Sequence, residues 1–142
     1  MSAETLFNVI TAMGLPLWAL FIFAPKSKAT RAIVASVWPW IVYGVVYTVI
    51  AVVGTVTLDG FSLLDFFTLE GVKKVYAHDL TGIACWIHIL AWDLFIARWI
   101  LLDAPEGGYR LSPVLALTYG YGPAGLLAFL LTRRFLKGGH AP

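Results

Sequence analysis

Four stretches of about 20 predominantly apolar residues, each long enough to cross a hydrocarbon layer of about 30 Å, occupy most of the 142 residues. In lipid the backbone has no water to bond, so stretches of this kind are read as transmembrane helices. The expected spans are approximately 6–24, 37–58, 78–102 and 112–132. With 60% hydrophobic and 13% charged residues, against about 25% charged in soluble chains, nothing is left over for a soluble domain. The expected fold is all-α and integral to the membrane: a four-transmembrane-helix bundle in a single domain over residues 1–142.

Helix punctuation refines the pattern. Gly14 and Pro16 interrupt the first span and Pro25 closes it, since an interior proline removes a backbone bond and kinks a helix. Ser36 can cap the second span, with Pro39 in its first turn. Between spans two and three, Asp59-Gly60 is a turn signal and Ser62-Leu63-Leu64-Asp65 resembles a capping box before Phe66 and Phe67. These predict a short interfacial helix, with Gly71 separating it from the third span. Asp103 to Arg110 reads as a loop, and His140 falls in a Gly-rich tail. The last span is expected to start with Ser112 as N-cap and Pro113 in first position. It then carries Thr118, Gly120, Gly122, Pro123 and Gly125, a run that lets a helix bend and approach its neighbours closely.

The formal charge of +2 points to no nucleic-acid partner, because the basic residues cluster at span ends, where they anchor a chain in a bilayer. Met1 to Asn8 holds Glu4 and no basic residue, unlike a secretory signal. Counted by side, Lys26, Lys28, Arg31, Arg98 and Arg110 stand against Lys73, Lys74, Arg133, Arg134 and Lys137, so the positive-inside rule leaves orientation undecided. Cys85, the sole cysteine, is read as a small buried residue. Nothing in the pattern sets an oligomeric state.

Ionisable side chains within a span cost about 2.5 to 3.5 kcal/mol at its centre, and the third span holds His78, Asp79, His88, Asp93 and Arg98. His78 and Asp79 fall at one membrane edge, Arg98 near the other, and His88 and Asp93 near the midplane. At about 100° per residue, His78, Thr81, Gly82, Cys85, His88 and Asp93 share a little under half of the circumference, a polar face expected to look into the bundle. His88 and Asp93 are about 7.5 Å apart along the axis and roughly 140° around it, too far for a direct hydrogen bond. Their partners are expected from other helices, with Asn8, Tyr43, Tyr47, Thr118, Tyr119 and Tyr121 as candidates. Interhelical hydrogen bonding is the structural alternative to a site. No pair has the i, i+4 spacing of a helical metal motif, so neither a metal nor another cofactor is expected. Trp38 and Trp40 suit an interfacial belt. Trp86 and Trp92 lie deeper and suit an aromatic-lined cavity for a flat or polyene lipid.

Trp86-x-His88-x-Leu90-Ala91-Trp92-Asp93-Leu94-Phe95-x-Ala97-Arg98-Trp99 resembles the abscisic-acid-deficient-four-like membrane family, whose plant members are implicated in neoxanthin synthesis from violaxanthin. Leu6-Phe7-Asn8, Ala24-Pro25, Leu69-Glu70-Gly71-Val72 and Gly122-Pro123-x-Gly125-Leu126-Leu127 are similar to the same family's pattern, in the same order. The resemblance covers nearly the whole chain; His78-Asp79 stand outside it. No plastid transit segment precedes the pattern, which suggests a bacterial or a trimmed member, and the expected location is a bacterial inner membrane.

The resemblance implies a carotenoid or other isoprenoid lipid as partner and a carotenoid isomerase of the epoxide-opening type. Turning an epoxide into an allenic alcohol involves no net redox change and needs no redox cofactor. It calls for one acid and one base in a dry pocket. The expected catalytic residues are Asp93 as acid and His88 as base; the reverse assignment, and stabilisation of a cation without proton transfer, stay open. Trp86, Trp92, Asn8, Tyr43, Tyr47, Thr118 and Tyr121 form the expected substrate-binding set. The alternative is a non-catalytic pigment or lipid carrier. A channel is disfavoured, since the polar face offers few groups for a continuous wire.

Overall fold

The computed structural model describes residues 2–104 and 110–137, with side chains through residue 133. Residues 105–109 of the expected loop and the tail with His140 lie outside the described residues. Among the described residues the chain is all-helical: α1 (Ala3–Phe23), α2 (Lys28–Ala35), α3 (Trp38–Thr57), a 3-10 helix (Leu63–Phe67), α4 (Leu69–Ala77), α5 (Asp79–Asp103), α6 (Leu111–Gly120) and α7 (Gly122–Lys137). Helices α1, α3 and α5 are long and apolar enough to cross a membrane, and they match the first three expected spans. Helix α1 runs through Gly14 and Pro16 as one element.

The fourth expected span is not one helix. It breaks at Tyr121, where φ −150° and ψ 68° end α6 while the Tyr121 N–H still reaches the Leu117 carbonyl at 2.8 Å. Pro123 supplies the reason. It has no N–H for the preceding turn and is tolerated only in the first turn of a new helix, which restarts with Ala124 N–H donating to the Tyr121 carbonyl at 2.8 Å. The start of α6 also differs from expectation: the helix begins at Leu111, Arg110 precedes it without a side-chain cap, and Ser112 and Pro113 lie inside its first turn.

The connections are closed by side chains. Ser27 caps α2 by accepting from Thr30 N–H at 3.1 Å, and the buried Thr30 hydroxyl donates to the Ala24 carbonyl at 2.6 Å, at the end of α1. Ser36 accepts from Trp38 N–H at 3.2 Å, capping α3 as its sequence position suggests, with Pro39 in the first turn. Helix α2 itself is not foreseen, because eight residues are too few to display a helical period. The expected interfacial helix is two pieces. The Ser62–Asp65 capping box is formed, but the separator is Thr68, which ends the 3-10 turn and caps α4 by accepting from Gly71 N–H at 3.0 Å. Gly71 lies inside α4, buried so closely on the Asp65 backbone that a Cβ there would overlap it. The third span starts one residue late, at Asp79, because His78 is the extended cap of α4.

The chain divides into two compact units, residues 1–13 with 40–91 and residues 14–39 with 92–142; α1 and α5 each contribute to both. The first is filled by Ile10, Tyr43, Ile50, Val75, Ile83, Ala84 and Ile87, with Thr81 tight on Gly54. Trp18, Phe21, Leu94, Ala97, Ile100, Leu115 and Phe129 fill the second.

Gly71→Ala is expected to destabilise the protein by about 1–3 kcal/mol through overpacking, read as a lower thermal midpoint in detergent. Gly44, where a Cβ would meet nothing within 4 Å, is the control: Gly44→Ala should hold or raise the midpoint, since alanine favours the helix by about 1 kcal/mol. Equal losses at both positions would refute the packing account.

Candidate functional site

In the first unit a cleft of about 580 Å³ is lined by Phe7 of α1 and by Gly82, Ile83, Trp86 and Ile89 of α5, with Glu4, Tyr76, His78 and Asp79 among its polar groups. The polar groups come from helix ends and the apolar ones from a turn or more further in, so the cleft grades from charged to aromatic. Trp86 is held in place: its ring tilts against Phe7 at 5.9 Å and its indole N–H donates to Thr11 Oγ1 at 3.0 Å. The Tyr76 phenol is pushed up from its ordinary range, first by the neighbouring Cys85 thiol and then by burial, so it remains a neutral donor. Thr81, which is buried, donates to the Val75 carbonyl and lies 3.4 Å from His78 Nδ1. His78 and Asp79, outside the resemblance, therefore line the cleft. Among the described residues, no group of three or more His, Cys, Asp or Glu could hold a metal ion.

His88 and Asp93 are placed differently from each other. His88, in the first unit, is exposed rather than turned inward, and its ring meets Tyr47 edge-on at 5.7 Å and 67°. The polar face of α5 is thus buried at Thr81, half-buried at Cys85 and exposed at His88. Periodicity treats a helix as a uniform cylinder, whereas burial depends on the neighbour at each level: a glycine against Thr81, a ring edge beside His88. Asp93, in the second unit, is half-buried, and its carboxyl occupies the space that a Cβ on Gly122 would fill. Gly122 opens α7, so the carboxyl lies on a helix N-terminus, where backbone N–H groups lack an intrahelical partner. Among the described residues the contact comes from Gly122 and not from any of the expected hydroxyl or amide side chains. The sequence signal for it is Gly122-Pro123 within an apolar run, where glycine leaves space and proline ends the preceding helix.

The expected substrate-binding residues do not converge. Trp86 lines the cleft. Tyr47 meets His88. Tyr43 is 3% exposed, and its hydroxyl has no hydrogen-bond partner among the described residues. Asn8 points outward from α1 and does not line the cleft. Trp92 is exposed, edge-on to Phe95 at 5.8 Å. Thr118 is fully buried, but its hydroxyl is spent on the Val114 carbonyl at 2.8 Å and its side chain packs on Gly125. Tyr121 is exposed at the end of α6, and Tyr119 packs edge-on against Trp18 at 5.2 Å.

The family model described as ABA DEFICIENT 4-like matches residues 5–129. The chain is similar to the protein ABA DEFICIENT 4, chloroplastic, of Arabidopsis thaliana, at 28% identity over 139 residues, 95% of this chain and 63% of the relative. It therefore spans less than two thirds of that relative's length. No solved structure matches. A bacterial inner membrane finds no support here, the relative being chloroplastic.

An unpaired buried hydroxyl costs about 1–3 kcal/mol. Tyr43→Phe is accordingly expected to hold or raise the thermal midpoint of the protein in detergent. A fall of several degrees in the midpoint would show that the hydroxyl has a partner in the folded protein.

Proposed function

Because the chain belongs to the ABA DEFICIENT 4-like family, we propose that it binds and isomerises an oxygenated carotenoid within the membrane. Asp93 carries this reading. A half-buried carboxyl on the N-terminal turn of a helix that breaks mid-segment has the make-up of intramembrane substrate sites, where half-helix ends face polar ligand groups. Helices α6 and α7, 10 and 16 residues long, would jointly form the fourth crossing, discontinuous at Asp93.

The reaction proposed is epoxide opening. A proton is delivered to the epoxide oxygen, a C–O bond breaks, and a proton leaves the neighbouring vinylic carbon as the allene forms, so substrate and product are isomers. Asp93 is the proposed acid and His88 the proposed base. Exposure of His88 beside Tyr47 leaves its imidazole accessible to a ligand arriving through lipid. The graded cleft at Trp86 and Phe7 suits a polyene end group, with its ring on the aromatic side and its oxygen toward the polar groups.

The same exposure of His88 favours a second reading, a carotenoid or isoprenoid-lipid carrier, because acid–base catalysis gains from excluding solvent and His88 is not enclosed. Incubating the purified protein alone with an epoxy-carotenoid separates the two: conversion supports the isomerase, and retention without conversion supports the carrier. Asp93→Asn and His88→Gln keep size and hydrogen-bonding capacity but remove proton transfer. Under the isomerase reading each should lower turnover about 10²- to 10⁴-fold with the thermal midpoint unchanged. Near-normal turnover in both would exclude the acid–base roles, and a matching collapse of stability would assign the pair to the scaffold.

A further inference from the structure

A second cleft, in the other unit, has the opposite electrical character. Lys26, Lys28 and Arg31 bring three of the chain's ten basic residues into six positions, and all three are exposed. Arg31 is fixed: its Nη1 donates to the Lys26 carbonyl at 2.6 Å, which leaves most of the five guanidinium N–H donors for another acceptor. Lys28 stands three residues before it, on the same side of α2. Beside Arg31 lies a cleft of about 310 Å³ lined by Pro25, Thr30, Arg31, Val34, Leu101 and Leu102. The Thr30 hydroxyl is spent on the Ala24 carbonyl, so Arg31 is the cleft's charged group and the remaining walls are apolar.

Its depth is set by the elements that build it. Leu101 and Leu102 belong to the last turn of α5, and Pro25 follows the end of α1, both helices long and apolar enough to cross a membrane. The cleft therefore sits at a span end, where hydrocarbon gives way to headgroups. Among the described residues no carboxylate lines it, and Asp103, which follows Leu102, is paired with Arg133.

We propose that this cleft is a binding site for an anionic phospholipid, with the phosphate on Arg31 and Lys28 and the start of one acyl chain against Val34, Leu101 and Leu102. Guanidinium matches phosphate bidentately, and the apolar walls match a chain rather than a second polar group. A zwitterionic lipid brings its own cation into a rim that is already positive, so the site selects against it. A free phosphate would fill the rim and leave the walls uncovered.

The test uses the full chain purified in mild detergent, with thermal unfolding and native mass spectrometry read on the same samples. The added probes are dioleoylphosphatidylglycerol, dioleoylphosphatidylcholine and inorganic phosphate. Phosphatidylglycerol should stay bound and raise the midpoint at concentrations where the other two do neither. Arg31→Gln should weaken its apparent affinity about fivefold, and Arg31→Gln with Lys28→Gln roughly 25-fold, at about 1 kcal/mol per basic residue. If Arg31→Gln fails to fold, Lys28→Gln alone, at an exposed position, carries the test with its own fivefold loss. Equal stabilisation by phosphatidylcholine, an equal shift with inorganic phosphate, or undiminished phosphatidylglycerol binding in the folded variants would each overturn the site.

Discussion

Hydrocarbon offers a peptide group nothing to bond with, and the structure is organised around closing helix ends from within. Thr30 closes the end of α1 through the Ala24 carbonyl, Ser27 opens α2, and Arg98 Nε reaches from α5 to the Val34 carbonyl at 2.8 Å in the last turn of α2. Ser36 and Thr68 open α3 and α4. Each bond falls within a turn of a helix boundary and is made by a short polar side chain or, at the end of α2, by an arginine reaching over from α5. The break between α6 and α7 follows the same constraint, since Pro123 leaves a carbonyl without its usual donor and Gly122 leaves room for a polar side chain to approach.

Much of this was readable from residue order. Three spans follow from apolar length alone, and the Ser36 cap and the Ser62–Asp65 box follow from residue types that satisfy free N–H groups. Positions where two elements compete for one residue were harder. Gly71 reads as a separator because glycine interrupts helices, yet here it is a contact residue, required by the Asp65 backbone and not by a turn. Pro123 reads as a bend because proline is often accommodated in membrane helices, and flanking glycines turn the bend into a stop. Helix α2 is hidden in the sequence because eight residues are too few to display a helical period, and Arg98, which bonds its last turn, is distant in the chain.

The candidate site shows the same division. That His88 and Asp93 are unusual follows from the cost of placing them in lipid. Which surfaces they meet does not, because partners come from helices whose rotation a single sequence leaves free. Asp93 found a backbone position, Gly122, and not one of the hydroxyl-bearing side chains that chemical type suggests. Backbone partners carry no residue-type signature, so reasoning from side-chain chemistry passes over them.

The two ties that hold the ends of α2 and α7 to α5 differ in kind. Arg98 binds a backbone carbonyl, a neutral acceptor. Arg133 binds the Asp103 carboxylate and lies over Trp99 and Phe129, 5.3 and 5.7 Å from their ring centres, so its grip combines a charge pair with aromatic contacts. Added salt thus acts on the two ends unequally: it screens the charge pair at α7 and leaves the hydrogen bond at α2 in place.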